Sequence, residues 1–184
     1  MKKVTFFLTV ALGITVSTGI SRADSYKYSP YMGLDYVFSE FSANSYSPHY
    51  NGAGIHIGSD YSKYFGTEIF FNQSNHDAKS TSLGKLKTSY RSYGLDLTGY
   101  LPLDCDQKFS LLATIGAGEY IYKITHRPQT RHNESGHGYR YGAGFKYMFD
   151  KHFALKLIGR YTKFDKTHLY DHAAEYNASI EYHF

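Results

Sequence analysis

The sequence predicts an all-β fold, an eight-stranded antiparallel up-and-down transmembrane β-barrel of the outer-membrane type. Residues 175–184 alternate strictly, with apolar residues on one face of a strand and polar residues on the other. A strand with a wholly polar face does not fit inside a soluble core. Pairing of this last strand with the first one, in a barrel that is surrounded by lipid, satisfies both its backbone and its apolar face.

The first 23 residues are typical of a secretory signal peptide. Two lysines precede an apolar run over residues 4–16, and small residues precede the predicted cleavage after Ala23. We therefore expect residues 1–23 to be a signal peptide and residues 24–184 to be the barrel domain. The apolar run is too short for a membrane anchor, because a spanning helix needs about 20 apolar residues.

The composition argues against a nucleic-acid-binding protein and against a disulfide-bonded one. Without the signal peptide, the count of Lys and Arg falls from 20 to 17, against 16 Asp and Glu. This near-neutral charge gives no support to a nucleic-acid partner. Cys105 is the single cysteine, so an internal disulfide is excluded, and we interpret it as a free thiol in a turn.

Seven earlier stretches alternate like the last one, and their connections differ systematically in length. Glu119 interrupts the apolar face of the fifth strand, which predicts either a position near the membrane rim or a β-bulge. Long polar connections alternate with short turns, which is the asymmetry of outer-membrane barrels with long external loops. The predicted strands cover about residues 31–38, 53–58, 65–72, 90–101, 110–118, 139–147, 153–162 and 173–184. The predicted long connections cover residues 39–51, 73–87, 124–137 and 165–172, and short turns lie near 59–63, 102–106 and 150–152.

The two faces of these strands differ in a way that separates a membrane barrel from a soluble one. One face carries mainly Tyr, Phe and Leu, and the other carries glycines and charged residues. A soluble barrel such as a lipocalin would bury the rings and expose the charges. The interior of an eight-stranded barrel is only wide enough for its own side chains. Small and charged residues therefore fit the lumen, and the rings fit the lipid.

Several short motifs carry a resemblance to a known family. They are Gly66-Thr67-Glu68, Gly116-Ala117-Gly118, Gly142-Ala143-Gly144 and the terminal Phe184 with Tyr182, Ile180 and Tyr176 before it. With the signal peptide, these residues resemble the small eight-stranded outer-membrane β-barrels of the opacity, surface-antigen and OmpA type. The resemblance implies a location in the bacterial outer membrane. It also implies that Tyr176, Ile180, Tyr182 and Phe184 form an assembly signal that the barrel-assembly machinery reads.

Nine charged residues are expected to point into the lumen, where they must pair because an unpaired buried charge is costly. We interpret them as a salt-bridged filling of the lumen, with a gate or ion path as the alternative. Glu68 with Arg140 or Arg160 is the expected central pair. The nine residues are Asp35, Glu68, Asp96, Arg140, Lys146, Lys156, Arg160, Glu175 and Glu181.

The predicted loops hold most of the histidines, which raises the alternative of a metal or haem site. Candidate ligands are His126, His132 and His137, although their spacing matches no recognised metal motif. The remaining loop histidines are His49, His76, His168 and His172. We therefore predict no cofactor.

A lipid A-modifying enzyme is a further alternative, but the chain has no His-x-Ser pairing, and Ser80 and Ser82 have no obvious partner base. The favoured function is non-enzymatic, through surface binding, adhesion or membrane integrity. The expected partners are outer-membrane lipid or lipopolysaccharide, the assembly machinery and an extracellular or host ligand at the loops.

Overall fold

The computed structural model describes residues 28–42, 48–75, 77–81, 84–104, 106, 108–126, 130–165 and 170–184, with backbone alone for 77–81, 84–87, 124–126 and 130–133. The predicted signal peptide, residues 1–23, and the residues His76, Ser82, Cys105 and His168 lie outside the described residues. Nine strands account for most of these ranges. Their bounds are β1 (Ser29–Ser42), β2 (His49–Ser62), β3 (Phe65–Ser74), β4 (Asp77–Thr81), β5 (Gly84–Pro102), β6 (Phe109–His126), β7 (Thr130–Met148), β8 (Phe153–Asp165) and β9 (His172–His183).

Eight of the strands close into a barrel. Neighbouring strands pair antiparallel in the order β3-β2-β1-β9-β8-β7-β6-β5, and β5 pairs again with β3. The first and last strands meet over their full length, from Tyr31 opposite His183 to Ser42 opposite His172. The fold class predicted from the sequence is therefore confirmed. No helix that is long and apolar enough to cross a membrane occurs among the described residues.

The ninth strand, β4, lengthens one hairpin beyond the barrel. It pairs with the start of β5, from Asp77 opposite Thr88 to Thr81 opposite Gly84. The pairing of β6 with β7 also continues to His126 opposite Thr130. We call this end of the barrel the extended end, and the opposite end, with the short connections 63–64, 103–108 and 149–152, the turn end.

Alternation of side chains along each strand separates an apolar exterior from a polar interior. Exposed exterior residues include Leu34, with 69% of its surface exposed, and Ile115, with 64%. Each barrel strand carries at least one such residue on the outside: Leu34, Ile57, Ile69, Leu101, Ile115, Tyr139, Phe153 and Ile180. A continuous apolar band thus surrounds the barrel.

The strands are longer than the sequence predicted, and the connections are shorter. The predicted loop 73–87 is largely the β4–β5 hairpin, and the predicted loop 124–137 lies mostly in β6 and β7. The predicted turn 59–63 is also too long, because β2 continues to Ser62 with a register shift between Asp60 and Ser62. These predictions were wrong because the residues of these segments are mainly polar and show no apolar alternation.

Glu119 lies on the exterior without a bulge. The registers of β6 with both neighbours are unbroken there, and they place Glu119 opposite Tyr93 and His137. The Tyr93 hydroxyl donates a hydrogen bond of 2.6 Å to Glu119 Oε2. Of the two predicted explanations, the bulge is wrong, and Glu119 lies at the extended edge of the apolar band.

Candidate functional site

The lumen contains all nine charged residues that the sequence assigned to it, and none of them is more than 8% exposed. They come from six strands: Asp35 (β1), Glu68 (β3), Asp96 (β5), Arg140 and Lys146 (β7), Lys156 and Arg160 (β8), and Glu175 and Glu181 (β9). Two histidines and one carboxylate that were not singled out from the sequence are buried with them: His56, His183 and Asp60. The interior is therefore a dense ionic network rather than a set of isolated pairs.

Glu181 is the centre of the network near the turn end. Its Oε1 lies 2.7 Å from Lys156 Nζ and 3.2 Å from His56 Nε2. Its Oε2 lies 2.9 Å from Lys146 Nζ and 3.3 Å from His183 Nε2. One carboxylate thus contacts four groups that can carry positive charge.

The network continues through the middle of the barrel as a chain of alternating charges. Glu68 lies 2.5 Å from Lys156 Nζ through Oε2 and 3.4 Å from Arg160 through Oε1. Arg160 is 3.3 Å from Asp96. Of the two expected partners of Glu68, the structure brings Arg160 to it.

Arg140 ends the chain on the side of the extended end. Its Nε is 3.2 Å from Asp96 Oδ1, and its Nη1 is 3.8 Å from Glu175 Oε2. Its guanidinium also lies over the ring of Phe70, 3.7 Å from the centroid, which adds a cation–π contact. Arg140 therefore pairs with Asp96 and Glu175, and no ion pair joins it to Glu68 among the contacts of the described residues.

His56 is a buried member of the ionic network that the sequence analysis missed. Its Nδ1 is 2.8 Å from Asp35 Oδ2, while its Nε2 faces Glu181. A carboxylate only accepts hydrogen bonds, so these two contacts favour the protonated ring. A side chain at Gly33, directly opposite in the register, would collide with this ring. The signal in the sequence is position, because His56 shares the inward face of β2 with Gly54 and Gly58.

His56, Glu68 and Glu181 also have the composition of a metal site. One ligand atom from each lies within 4.8 Å of the others. The ammonium of Lys156 contacts the same three residues, since its Nζ is 3.5 Å from His56 Nε2 as well as close to both carboxylates. Lys156 therefore supplies the cation that these ligands would otherwise attract.

We expect Lys156→Ala to convert this cluster into a zinc site. Imidazole nitrogens and carboxylate oxygens both bind Zn²⁺, and three protein ligands are sufficient when water takes the fourth position. Zinc at 100 times its Kd should raise the free energy of unfolding of the variant by about 2.7 kcal/mol. Urea unfolding of the barrel in lipid vesicles, followed by gel mobility without heating, measures this change.

The wild-type protein and the double variant Lys156→Ala/His56→Ala serve as controls. Zinc should leave both unchanged, because the first keeps its ammonium and the second lacks the nitrogen ligand. An equal zinc effect on all three proteins would show that zinc binds elsewhere.

Aromatic side chains fill the lumen at the extended end. Phe41 and Tyr120 have no exposed surface, and the ring centroids of Phe41 and Tyr90 are 4.8 Å apart. Two of its tyrosine hydroxyls form hydrogen bonds with neighbouring threonines, Tyr50 with Thr88 at 2.9 Å and Tyr120 with Thr162 at 3.1 Å. We call this group the aromatic plug, and it consists of Phe41, Tyr50, Tyr90, Tyr120, Tyr122, Phe164, Tyr170 and Ala173. The expectation that the rings would face lipid is therefore incomplete.

The turn end of the lumen is more open. A cavity of about 180 Å³ lies there, lined by residues that include Asp60, Lys63, Tyr100, Lys146 and His183. It ends at the ionic network, because Lys146 also contacts Glu181. Between this cavity and the plug, side chains occupy the barrel axis.

The histidines predicted as ligands do not converge. The register places His132 opposite Ile124 and His126 opposite Thr130, so positions 126 and 132 belong to one face of the hairpin. Position 137 belongs to the other face and is five residues, or about 17 Å, from position 132 along the strand. His137 is exposed and lies opposite Glu119. Elsewhere, His49 is 4.0 Å from Glu40, and His172 stacks on Tyr161.

The predicted assembly residues form a row on the outside of β9. Phe184 is 65% exposed, Ile180 61% and Tyr176 57%, so their side chains face away from the lumen. Tyr182 contacts Phe184 with perpendicular rings, 5.2 Å between centroids. The backbone N–H of Phe184 donates to Pro30 at 3.0 Å, which ties the last residue to the first strand.

Comparison with known proteins agrees with this architecture. Residues 7–184 match the family model described as outer membrane protein beta-barrel domain. No match was found among curated proteins. Among solved structures, Neisserial surface protein A is similar with a TM-score of 0.71 and 13% identity, over 84% of this chain and 97% of that one.

Two further structures support the same fold. Ail, the attachment invasion locus protein of Yersinia pestis, has a TM-score of 0.64 and 16% identity, over 86% of this chain and 99% of that one. The N-terminal β-barrel domain of Pseudomonas aeruginosa OprF has a TM-score of 0.58 and 11% identity, over 84% and 97%. At these identities the comparison shows the fold alone.

Proposed function

Because this chain belongs to the outer membrane protein beta-barrel domain family, we propose that it is a non-enzymatic surface-binding protein and not a diffusion pore. The family and the apolar exterior also confirm the predicted location in the bacterial outer membrane. The extended end then corresponds to the outside of the cell, since the longer loops of such barrels are external. The proposed N-terminal signal peptide, residues 1–23, fits this location.

The observation that carries the proposal is the filled lumen. The ionic chain from His183 to Glu175 and the aromatic plug occupy the barrel from the inner end of the turn-end cavity to the extended end. A solute would have to displace paired charges and packed rings to pass. The histidines, carboxylates and lysines of the lumen bind one another behind the plug. They are therefore not placed at the lipid-facing rim, where an enzyme that modifies lipid A would need them.

The hairpin of β4 and β5 is the main candidate for the binding surface. Residues 77–87 contain three lysines and one aspartate, and their strands continue beyond the barrel. Positive charge on an external hairpin attracts anionic ligands. The structure of Ail was solved with a heparin analogue, sucrose octasulfate. We infer a sulfated polysaccharide as the class of ligand for this hairpin.

Cells that display the chain should bind immobilised heparin, and replacement of residues 77–87 by Gly-Asn should reduce the binding about tenfold or more. Each cation near an anionic surface contributes about 1 kcal/mol. The matched control replaces residues 43–47, which carry no charge, and should bind like the parent. Equal binding by the two shortened chains would contradict the role of the hairpin.

Conductance measurements in planar bilayers test separately whether the barrel forms a pore. The filled lumen predicts no stable conductance steps from the purified barrel. A steady open channel of the intact chain would overturn the proposal of a closed surface-binding protein.

The two remaining partners also stay proposals. We propose that the barrel-assembly machinery reads the outward row Tyr176, Ile180, Tyr182 and Phe184, which its exposure leaves accessible. Outer-membrane lipid contacts the apolar band, and no cofactor is required for this function.

A further inference from the structure

Three cross-strand rows at the extended end concentrate positive charge on one face of β5, β6 and β7. Successive rows are two residues apart, so their positions share a face of the sheet. The described members Arg91 and Ser135 are exposed on the outside of the barrel. We call them the basic rows: Lys87, Thr125 and Arg131; Ser89, Lys123 and Asn133; and Arg91, Ile121 and Ser135. These nine positions contain four Lys or Arg and no acidic residue.

This concentration is local and does not follow from the overall charge. Without the signal peptide, the chain has 17 basic and 16 acidic side chains. The acidic residues next to the basic rows are Glu119 and the exposed Asp165, which lie opposite His137 on either side. Glu119 accepts the hydrogen bond from Tyr93. The basic rows are therefore a patch of positive charge on a chain that is otherwise close to neutral.

The position of the basic rows along the membrane normal indicates which part of the membrane they face. The next row towards the turn end is Tyr93, Glu119 and His137, and after it follow the apolar rows that start with Leu95, Ala117 and Tyr139. Rows are about 7 Å apart along a strand, or about 5 Å along the membrane normal at the usual tilt. The basic rows thus begin just beyond the apolar band, at the depth of the lipid headgroups, and on the face that points away from the barrel.

We propose that the basic rows bind the phosphate groups of outer-leaflet lipid, the lipid A of lipopolysaccharide. Arg and Lys are the side chains that best bind phosphate, Arg through paired hydrogen bonds and Lys as a point charge. A soluble ligand approaches the outer tips of the hairpins, whereas these rows lie beside the leaflet. The site shares Lys87 with the β4–β5 hairpin surface, but its other cations lie outside that hairpin. The variant used in the test leaves Lys87 unchanged, so the proposal does not depend on heparin binding.

The test compares bisphosphorylated lipid A with dephosphorylated lipid A, each fluorescently labelled, in mixed micelles with the refolded full chain. The variant is Arg91→Gln/Lys123→Gln/Arg131→Gln. Each cation near an anionic surface accounts for about a fivefold change in affinity, so the triple variant should bind phosphorylated lipid A about 100-fold more weakly. Wild-type affinity should also fall with added salt and with removal of the phosphates.

The matched control is Lys63→Gln/Lys108→Gln/Lys151→Gln, which removes three exposed lysines from the turn end. It should keep the wild-type affinity, and the gel mobility of unheated samples checks that all proteins are folded. Equal binding of both lipids by the wild-type protein, or equal losses in the two triple variants, would overturn the proposal. A third outcome is that soluble heparin competes with lipid A and that the wild-type protein does not prefer phosphorylated over dephosphorylated lipid A. This outcome would overturn the proposal and assign the basic rows to a polysaccharide instead.

Discussion

Replacing Glu181 by Ala should lower the free energy of unfolding by about 3 kcal/mol, the lower end of the range for breaking a buried ion pair. Glu181 contacts Lys146, Lys156, His56 and His183 in the lumen. Three of these keep a second carboxylate, as Lys156 does at 2.5 Å from Glu68, and this retention limits the loss. Urea titration in lipid vesicles, with the folded fraction read from gel mobility, gives the value.

Two variants separate charge from shape in this result. Glu181→Gln keeps the size and one acceptor and should lose less stability than Glu181→Ala. Glu119→Ala removes a carboxylate from the exterior, where its described partner is the Tyr93 hydroxyl, and should cost about 1 kcal/mol or less. If Glu119→Ala destabilised the barrel as much as Glu181→Ala, the central place of Glu181 in the lumen would be wrong.

The alternation of residues was sufficient to predict which side chains enter the lumen. A strand has a period of two, and a one-residue error would move every side chain to the other face. Asp35 and Arg160 were therefore placed inside from their neighbours alone, because Leu34 and Tyr161 require the lipid side. Burial of all nine expected charges agrees with that reasoning.

The contacts within the lumen could not be predicted in the same way. The pairing of Arg140 with Asp96 and Glu175 depends on the stagger of β5, β7 and β9 around the barrel, which a single strand pattern does not contain. The role of His56 depends on Gly33 across the register and on Asp35 beside it. Neither residue is near His56 in the sequence.

The aromatic plug was missed for a different physical reason. The sequence assigned rings to lipid, since most outward positions carry them, and the same residue type also fills the lumen beyond the membrane. Phe41 and Tyr122 follow the inward parity of β1 and β6, but they lie in segments that were interpreted as a loop or a strand end. Where the strands extend beyond the lipid, alternation of apolar and polar residues no longer distinguishes their inner face from their outer face. The change from a charged to an aromatic filling of the lumen therefore has no clear signal in the sequence.

Phe41→Ala should lower the free energy of unfolding by about 3–5 kcal/mol, because it leaves a cavity at the centre of the plug. The Phe41 ring has no exposed surface and contacts five other rings. Its centroid distances are 4.8 Å to Tyr90, 5.2 Å to Tyr170, 5.4 Å to Tyr50, 5.7 Å to Tyr122 and 5.8 Å to Phe164. The same urea titration measures the loss.

Phe71→Ala is the matched control, since Phe71 lies on the outside of β3 and is 41% exposed. Lipid chains fill the space that this substitution leaves, so no cavity forms. The loss in free energy of unfolding should therefore be smaller than for Phe41→Ala. Phe41→Leu should recover part of the loss, because it refills most of the volume. Amide hydrogen exchange should also accelerate in the extended halves of β1 and β9 for Phe41→Ala alone. Equal losses at Phe41 and Phe71, with no local change in exchange, would mean that the plug does not hold the extended end together.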